Sequence, residues 1–278
     1  MSRAIMYETH SHTPLCKHAE GWPDEYAMVA EQRGLKGLLV TCHNPMPNGF
    51  SAGVRMAEEQ FVDYLAIVQR TREAFADRVD VRLGLEADYF EGMEGYLERQ
   101  LQSAEFHYVL GSVHPQIAEW RERYWQDDLF EVQRKYFALL AKTAETGMFD
   151  SISHPDLIKN FTSTEWDPIR ILPDICRTLD RIAETGVAME LNTSGVNKTI
   201  SEMNPMPSML EEIAKRGIPI TLGSDAHVPH RVADGFEEAL SLLLRSGFTR
   251  VSYFLERTRH DLCIQDALDS LLPSRPSD

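Results

Sequence analysis

The stretch His10-Ser-His12-Thr-Pro-Leu-Cys-Lys-His18 places three histidines close together near the start of the chain. The preceding residues 4–8 are largely apolar and predict a short strand, which Pro14 brings to an end. Because residues two apart on a strand point to the same face, His10 and His12 direct their imidazoles to one side. The pattern predicts a metal site at the carboxyl end of this strand, provided that other strands supply further ligands.

Metal-ligating residue types recur at the ends of the other predicted strands. These residues are His43, Glu86, His114, His154, Asp225 and His227. Between the strands, one helical pattern begins at Pro23 and ends at Gly34, and others cover 52–77, 96–102, 127–146, 168–184 and 208–216. A further helix, a short strand at 250–254 and a last helix over 261–271 complete the chain. Strands that alternate with helices, without a linker or repeat, predict a parallel sheet in one α/β domain.

The placement of these residues favours one of two parallel-sheet folds. In a closed β/α barrel, the carboxyl ends of all the strands form one rim, where active sites are built. An open doubly wound sheet would spread the same residues along a line, too far apart to share one site. The sequence therefore predicts a barrel with its metal site at the C-terminal rim of the strands.

Composition narrows the range of partners and compartments. The 278 residues are 43% hydrophobic and carry a net charge of −15, from 43 acidic and 28 basic side chains. Such a surface repels phosphate backbones, so we expect no nucleic-acid partner and no membrane partner. No signal peptide and no apolar run of spanning length is visible. Four scattered cysteines without a C-x-x-C pair suit reduced thiols, so we expect a cytoplasmic protein.

The number of candidate ligands exceeds what one cation can use. They are His10, His12, His18, His43, Glu86, His114, His154, Asp225 and His227. One ion takes four to six ligands, so two or three ions are expected, and imidazole with carboxylate suits zinc, manganese or iron. Any one histidine could be a hydrogen-bonded loop residue, but seven of the chain's ten histidines lie at or just after strand ends. The others, His107, His230 and His260, are assigned to packing or the surface, with His230 close to the rim.

Several motifs resemble those of the PHP (polymerase and histidinol phosphatase) superfamily, most closely its stand-alone histidinol-phosphatase branch. They are His10-Ser-His12 with His18, Thr-Cys-His43-Asn-Pro-Met-Pro, Gly-Leu-Glu86-Ala-Asp-Tyr, Gly-Ser-Val-His114, Ser-His154-Pro-Asp and Gly-Ser-Asp225-Ala-His227. The resemblance implies a single PHP-type domain over residues 1–278. It further implies a distorted seven-stranded (β/α) barrel with three divalent metal ions at the rim.

The resemblance also implies how the ligands are shared. One ion is held by His10, His12, Glu86 and Asp225, a second by Glu86, His114 and His154, and a third by His18, His43 and His227. The chain departs from the family in having Cys42 where aspartate usually precedes the histidine, and His107 at a position that is often aspartate. Neither position is a metal ligand in the family pattern. Cys42 puts in doubt the contact that would orient His43, and it could alternatively act as a soft ligand.

The expected chemistry is hydrolysis of a phosphomonoester by a metal-bridging hydroxide. A water held between two dications loses a proton near neutral pH, and a third ion can stabilise charge on the phosphate. Glu86 is the expected bridge, and either a water on the metals or an acid near Asp225 or His227 could give the leaving group its proton. The resemblance implies that the substrate is L-histidinol phosphate, an intermediate of histidine biosynthesis.

Candidate substrate-binding residues lie near the rim motifs. Lys17, Lys159, Lys198 and Arg231 are candidates to hold phosphate, and His230, Asn192, Ser194 and Asn197 to meet the substrate. For each basic residue, simple solvent exposure explains the sequence equally well. Glu20, Asp88 and Asp156 are unranked candidates to bind the substrate ammonium. Trp120 and Trp125 could wall a pocket, although packing is the stronger expectation for both.

Two other classes of function compete with this interpretation. The first is another PHP-type phosphoesterase, either a broad-specificity phosphatase or a nucleotide or nucleic-acid phosphoesterase; the acidic charge argues against a nuclease. The second is a non-enzymatic metal-binding scaffold, which the excess of ligands disfavours because closed four-ligand sites suffice for structure. The sequence leaves open the metal identity, the strictness of substrate preference and whether the chain forms a homo-oligomer.

Overall fold

A computed structural model describes residues 4–271, in which one sheet contains nine strands that neighbour one another in chain order. The strands are β1 Tyr7–Glu8, β2 Gly37–Val40, β3 Asp80–Asp88, β4 Tyr108–Ser112, β5 Ser151–Ile152, β6 Ala188–Asn192, β7 Ile220–Gly223, β8 Arg250–Leu255 and β9 Thr258–Cys263. The first eight pair in parallel, and β9 runs antiparallel to β8. The predicted α/β class with a parallel-rich sheet is confirmed.

Helices follow most of the strands, as the sequence pattern predicts. They are α1 Pro23–Gln32, α2 Phe61–Ala74, α3 Glu94–Leu101, α4 Ala118–Tyr124, α5 Leu129–Glu145, α6 Pro168–Ala183, α7 Pro207–Lys215, α8 Phe236–Arg245 and α9 Ile264–Ser270. Within residues 4–271, none of them is both long and apolar enough to cross a membrane.

Two predicted helices begin later in the structure than expected, and two short elements were not predicted. The helix expected over 52–77 begins only at Phe61, after turns and a short 3-10 segment at Glu58–Gln60. The helix expected over 261–271 begins at Ile264, because residues 258–263 form β9. That strand is mostly exposed and polar, so its sequence carries no hydrophobic alternation. Helix α4 was not predicted, since its seven residues are mostly charged or aromatic.

Local sequence explains the helices that were predicted well. The Asp128 carboxylate caps α5 by accepting from the amides of Phe130 and Glu131. Asp167 caps α6 in the same way, and Pro168 occupies its first turn. A side-chain cap of this kind contributes about 1 kcal/mol. The buried residues of α6 include Ile171, Ile175, Leu179 and Ile182, whose spacing marks the single apolar face that packs inward.

The carboxyl ends of the strands come together and position the candidate site. Beyond β1 and β7, Ser11 pairs in parallel with Ala226. The His12 amide donates to the Ala226 carbonyl at 3.0 Å, and the Ala226 amide donates to the His10 carbonyl at 3.1 Å. A second bridge pairs His43 with Glu86 beyond β2 and within β3. These pairings bring residues that are far apart in sequence to one end of the sheet.

Candidate metal centre

Glu86 lies near the carboxyl end of β3 and is surrounded by histidines. Its Oε2 lies 2.7 Å from His43 Nδ1, 3.4 Å from His10 Nε2 and 3.6 Å from His12 Nε2. Its Oε1 lies 3.1 Å from His154 Nε2 and 3.4 Å from His114 Nε2. The side chain of Glu86 is fully buried. The two carboxylate oxygens therefore face two different sets of imidazoles.

Asp225, just beyond β7, joins the first of these sets. Its Oδ1 lies 3.1 Å from His12 Nε2 and 3.6 Å from His10 Nε2. Asp225 and His154 both adopt positive backbone dihedrals, with φ of 50° and 22° respectively. Residues other than glycine rarely hold such conformations unless the surrounding structure imposes them, and they cluster at functional sites.

His18 and His227 form a close pair within the same cluster. Their Nε2 atoms lie 2.9 Å apart. His18 Nδ1 is 2.8 Å from the Cys16 carbonyl, and His227 Nδ1 is 3.0 Å from the Asp225 carbonyl. When both Nδ1–H groups donate to these carbonyls, two Nε2 lone pairs face each other. A cation bound by both nitrogens relieves that repulsion.

Buried carboxylates contact the Nδ1 atoms of two of these histidines and orient their rings. His10 Nδ1 contacts Glu190 Oε1 at 2.7 Å, and His114 Nδ1 contacts Asp88 Oδ1 at 2.8 Å. Asp88 also accepts from Arg55 Nη2 at 2.7 Å. A carboxylate on one ring nitrogen fixes the tautomer and leaves the other nitrogen free to bind a metal.

Sequence reasoning missed Glu190 entirely. Its one visible signal is an acid within the otherwise apolar run 187–191, most of which forms the buried strand β6. Only the folded structure identifies His10 as the partner of Glu190.

The unpaired polar atoms at the centre fit divalent cations. Buried atoms without a hydrogen-bond partner among the described residues include His10 Nε2, His12 Nδ1, His43 Nδ1 and Glu86 Oε2. His43 Nδ1 and Glu86 Oε2 are 2.7 Å apart, but the pair does not have the angular geometry of a hydrogen bond. Leaving a buried polar atom unpaired costs about 1–3 kcal/mol. Ligand atoms of His10, His12 and Glu86 lie within 4.8 Å of one another, as do those of His43, Glu86 and His114.

At Glu86, His43 and His227, the electrostatics favour the protonation states that metal ligands need. Burial lowers the pKa of His43 to about 3, although Glu86 opposes the shift. Burial also lowers the pKa of His227 well below its usual range. Burial acts to raise the pKa of Glu86, yet His43, His10 and His114 hold it well below its usual range. Near pH 7, Glu86 is therefore ionised while His43 and His227 are neutral.

Three other histidines are affected in the opposite direction. Burial acts to lower their pKa values, but neighbouring carboxylates raise the pKa of His10 well above its usual range, and hydrogen bonds to Asp225 and Cys16 help to raise that of His12 to about 9. At His114, Asp88 and Glu86 outweigh burial and raise the pKa to about 10. A dication at this position competes with the proton for the same negative charges, so metal affinity must fall as pH falls.

Three of the predicted substrate-binding residues lie beside this cluster. Lys198 Nζ donates to Ser194 Oγ at 2.7 Å and lies 3.8 Å from Asp225 Oδ2. Ser194 Oγ is also 2.7 Å from Asn192 Oδ1 and 3.0 Å from Asp225 Oδ2. Asn192 is buried and donates from Nδ2 to Glu190 Oε2 at 2.9 Å. The loop after β6 therefore brings one lysine to the cluster.

The structure places Lys159 differently from the expectation. Its ammonium is fully buried, 3.0 Å from both Asp156 Oδ2 and Glu202 Oε1, and it also donates to the Met203 carbonyl at 3.1 Å. A buried lysine needs such partners, since an unpaired buried charge is very costly. Lys159 thus anchors the segment that carries Glu202 and is committed to these partners rather than to phosphate.

The remaining predicted residues are not brought to the cluster. Lys17 is exposed and donates to the Ala52 carbonyl, and Arg231 pairs with Asp234 at 3.2 Å. His230 and Asn197 are exposed as well. None of these four lines either of the two cavities that border the histidines. Trp120 is buried in the hydrophobic core, in agreement with a packing role.

Two open cavities flank the cluster and share His18, His43, His114 and Gln116. The smaller, of about 220 Å³, is also lined by His154, Leu157, Phe161, Lys198, Asp225 and His227. The larger, of about 640 Å³, extends from the shared histidines towards residues 49–55 and 117–119. A small ligand bound at the histidines can therefore extend in either direction.

Comparison with known proteins gives consistent matches over most of the chain. The PHP domain family matches residues 8–194. A protein of Deinococcus radiodurans named "Probable histidinol-phosphatase" is 41% identical over 256 residues, which cover 88% of this chain and 95% of that protein. The "Histidinol-phosphatase" of Bacillus subtilis is 24% identical and covers 83% of this chain and 97% of its own.

A solved structure shares the fold. It is the histidinol phosphate phosphatase of Lactococcus lactis complexed with zinc, L-histidinol and phosphate. The TM-score is 0.78 at 22% identity, and the match covers 91% of this chain and 98% of the other.

Proposed function

Because this chain belongs to the PHP domain family, we propose that it is a metal-dependent phosphatase that hydrolyses L-histidinol phosphate to L-histidinol and phosphate. The observation that carries the proposal is the cluster of seven histidines, Glu86 and Asp225 at the carboxyl ends of the strands. The relative named histidinol-phosphatase at 41% identity supports the same substrate.

Three divalent ions, zinc, manganese or iron, fit the cluster. His10, His12, Glu86 and Asp225 would hold one; Glu86, His114 and His154 a second; and His18, His43 and His227 a third. The separation of the two Glu86 oxygens, one towards His10 and His12 and the other towards His114 and His154, supports a bridging role. When bound, such ions supply a hydroxide nucleophile at neutral pH and a positive field for phosphate.

The chain's own residues have separate tasks in this reaction. Glu86 holds its two oxygens in place through Ser112 Oγ, which donates to Oε1 at 2.7 Å. Lys198 supplies a cation beside Asp225 for the phosphate, while Ser194 and Asn192 position that lysine. The leaving oxygen would take its proton from a water beside Asp225 and His227, because the low pKa of each side chain leaves Asp225 ionised and His227 neutral near pH 7.

The arrangement of strands around the site is also part of this proposal. Strands β1–β7 form the seven-stranded barrel wall, and the pairing of Ser11 with Ala226 links the rims of its first and last members. Strands β8 and β9 then continue the sheet beyond that wall.

One panel of substrates tests the proposed function. We expect a single metal-loaded preparation to release phosphate from histidinol phosphate with a kcat/KM well above that for p-nitrophenyl phosphate, AMP and a phosphodiester. Comparable values for histidinol phosphate and p-nitrophenyl phosphate, within about tenfold or ~1.4 kcal/mol, would leave only a general phosphatase. Preference for the phosphodiester would replace the proposal with a nuclease-type activity.

A further inference from the structure

The larger cavity is the space available to the organic part of a substrate whose phosphate binds at the histidines. Its volume of about 640 Å³ is nearly three times the 220 Å³ of the smaller cavity. The smaller cavity is lined by Lys198, whose ammonium suits a phosphate. A phosphate near the shared histidines therefore directs its ester group towards residues 117–119.

The wall of the larger cavity is mostly small and apolar, with Ala52, Val54, Ile117 and Ala118 along it. Two of its lining residues carry opposite charges, Arg55 and Glu119. The Arg55 guanidinium is buried and donates to Asn44 and Asp88, so its charge is already compensated. Glu119 is the only acidic residue that lines this cavity within the described part of the chain.

Among the described residues, the Glu119 carboxylate has no charged partner. Its Oε1 accepts from the Ser51 amide at 2.7 Å, and its Oε2 is shielded from solvent and has no hydrogen-bond partner among those residues. Within residues 4–271, no lysine, arginine or histidine nitrogen lies within 4.0 Å of a Glu119 carboxylate oxygen. A carboxylate withdrawn from water in this way gains most from a cationic donor.

The other acids considered for the substrate cation are committed elsewhere. Asp88 is paired with Arg55 and His114. Asp156 is paired with Lys159 and also accepts from the Met206 amide at 2.7 Å. Glu20 is exposed and lines neither cavity that borders the histidines.

We propose that Glu119 determines substrate specificity by binding a cationic nitrogen of the substrate in the larger cavity. The inference rests on the proposed function and names its substrate class: phosphomonoesters with an ammonium or imidazolium group a few bonds from the phosphate. The metal-facing residues bind the dianionic end, and Glu119 binds the cationic end. A phosphomonoester without a cation forgoes the second contact.

The test is Glu119→Gln, which removes the charge and keeps an oxygen that can accept from the Ser51 amide. We expect kcat/KM for histidinol phosphate to fall at least tenfold, mainly through KM, while kcat/KM for p-nitrophenyl phosphate changes by less than about twofold. Calorimetric binding of L-histidinol, which needs no turnover, should weaken by at least tenfold. Glu122→Gln removes an exposed charge from the same helix and should change none of these values.

The outcomes separate the inference from the function on which it rests. Unchanged values for histidinol phosphate in Glu119→Gln, or equal losses on both substrates with normal metal content and unfolding temperature, would overturn the role of Glu119. A wild-type protein with no preference for histidinol phosphate would overturn the proposed function itself, and the inference with it.

Discussion

Glu86 combines two features that a bridging ligand needs. Both oxygens lie within 3.6 Å of histidine nitrogens, and each faces a separate group of rings. The position is rigid, since the residue lies within a paired strand rather than a loop. Glu86 therefore has both the two oxygens and the fixed position that a bridging ligand needs.

We predict that Glu86→Gln loses more than nine tenths of kcat while the protein remains folded. An amide retains the size of the side chain but offers only one oxygen, so it cannot bridge. Steady-state kinetics and thermal unfolding, with the exposed Glu98→Gln as control, measure both effects. Retention of more than about a tenth of kcat, a loss below ~1.4 kcal/mol, would rule out the bridge.

Glu190 acts on the site through His10. We predict that Glu190→Gln weakens metal binding by about 10- to 100-fold, the usual effect of removing a carboxylate behind a ligating histidine. Competition with a chelator gives the affinity directly. An unchanged affinity would mean that the 2.7 Å contact between His10 and Glu190 only serves packing.

The loop after β3 is tied to two helices through Glu91. Its carboxylate accepts from Lys142 and Lys135 on α5 and from the Tyr124 hydroxyl on α4. The hydrogen bond from Lys142, aided by those from Tyr124 and Lys135, lowers the pKa of Glu91 to about 2. This one residue therefore connects α4, which carries Glu119, to the body of the fold.

The lowered pKa gives a pH-dependent prediction for these elements. A carboxylate whose pKa is lower in the folded state stabilises the fold above its ordinary pKa of 4.5, and the contribution is lost as pH falls towards 2. Glu91→Gln should thus cost on the order of 1 kcal/mol of unfolding free energy at pH 7. The difference from wild type should shrink between pH 4.5 and 2.

Urea unfolding of chelator-treated protein across this range measures the difference, with Glu105→Gln, an exposed loop acid, as the control. A difference that stays constant down to the acid limit would show that the charge of Glu91 contributes nothing.

At the level of the whole molecule, bound metal should contribute to stability. The ligands come from strands and loops between residues 10 and 227, and they converge only in the folded chain. We predict that the protein binds three divalent ions per chain and that chelation lowers its unfolding temperature, because the ions bind the folded state preferentially. Elemental analysis after reloading gives the stoichiometry. Saturation at one ion would contradict the trinuclear arrangement.

Much of the fold and of the candidate site could be predicted from the amino-acid sequence. Strand ends are marked by local signals, and a ligand must be histidine or carboxylate to do its chemistry. Both properties belong to single residues and their near neighbours. The alternation of strands and helices, and the gathering of His10, His43, Glu86 and Asp225 at one end of the sheet, were therefore predictable.

Other features depend on contacts between distant parts of the chain. Glu190 reaches His10 across 180 residues, and Lys159 meets Glu202 across 43. The polar strand β9 is specified by pairing with β8, not by its own pattern. The three-dimensional neighbours of an acid decide whether it orients a metal ligand, neutralises a buried lysine or, like Glu119 among the described residues, faces a cavity without an ion-pair partner. Residue type and periodicity carry no record of those neighbours, so packing alone assigns these roles.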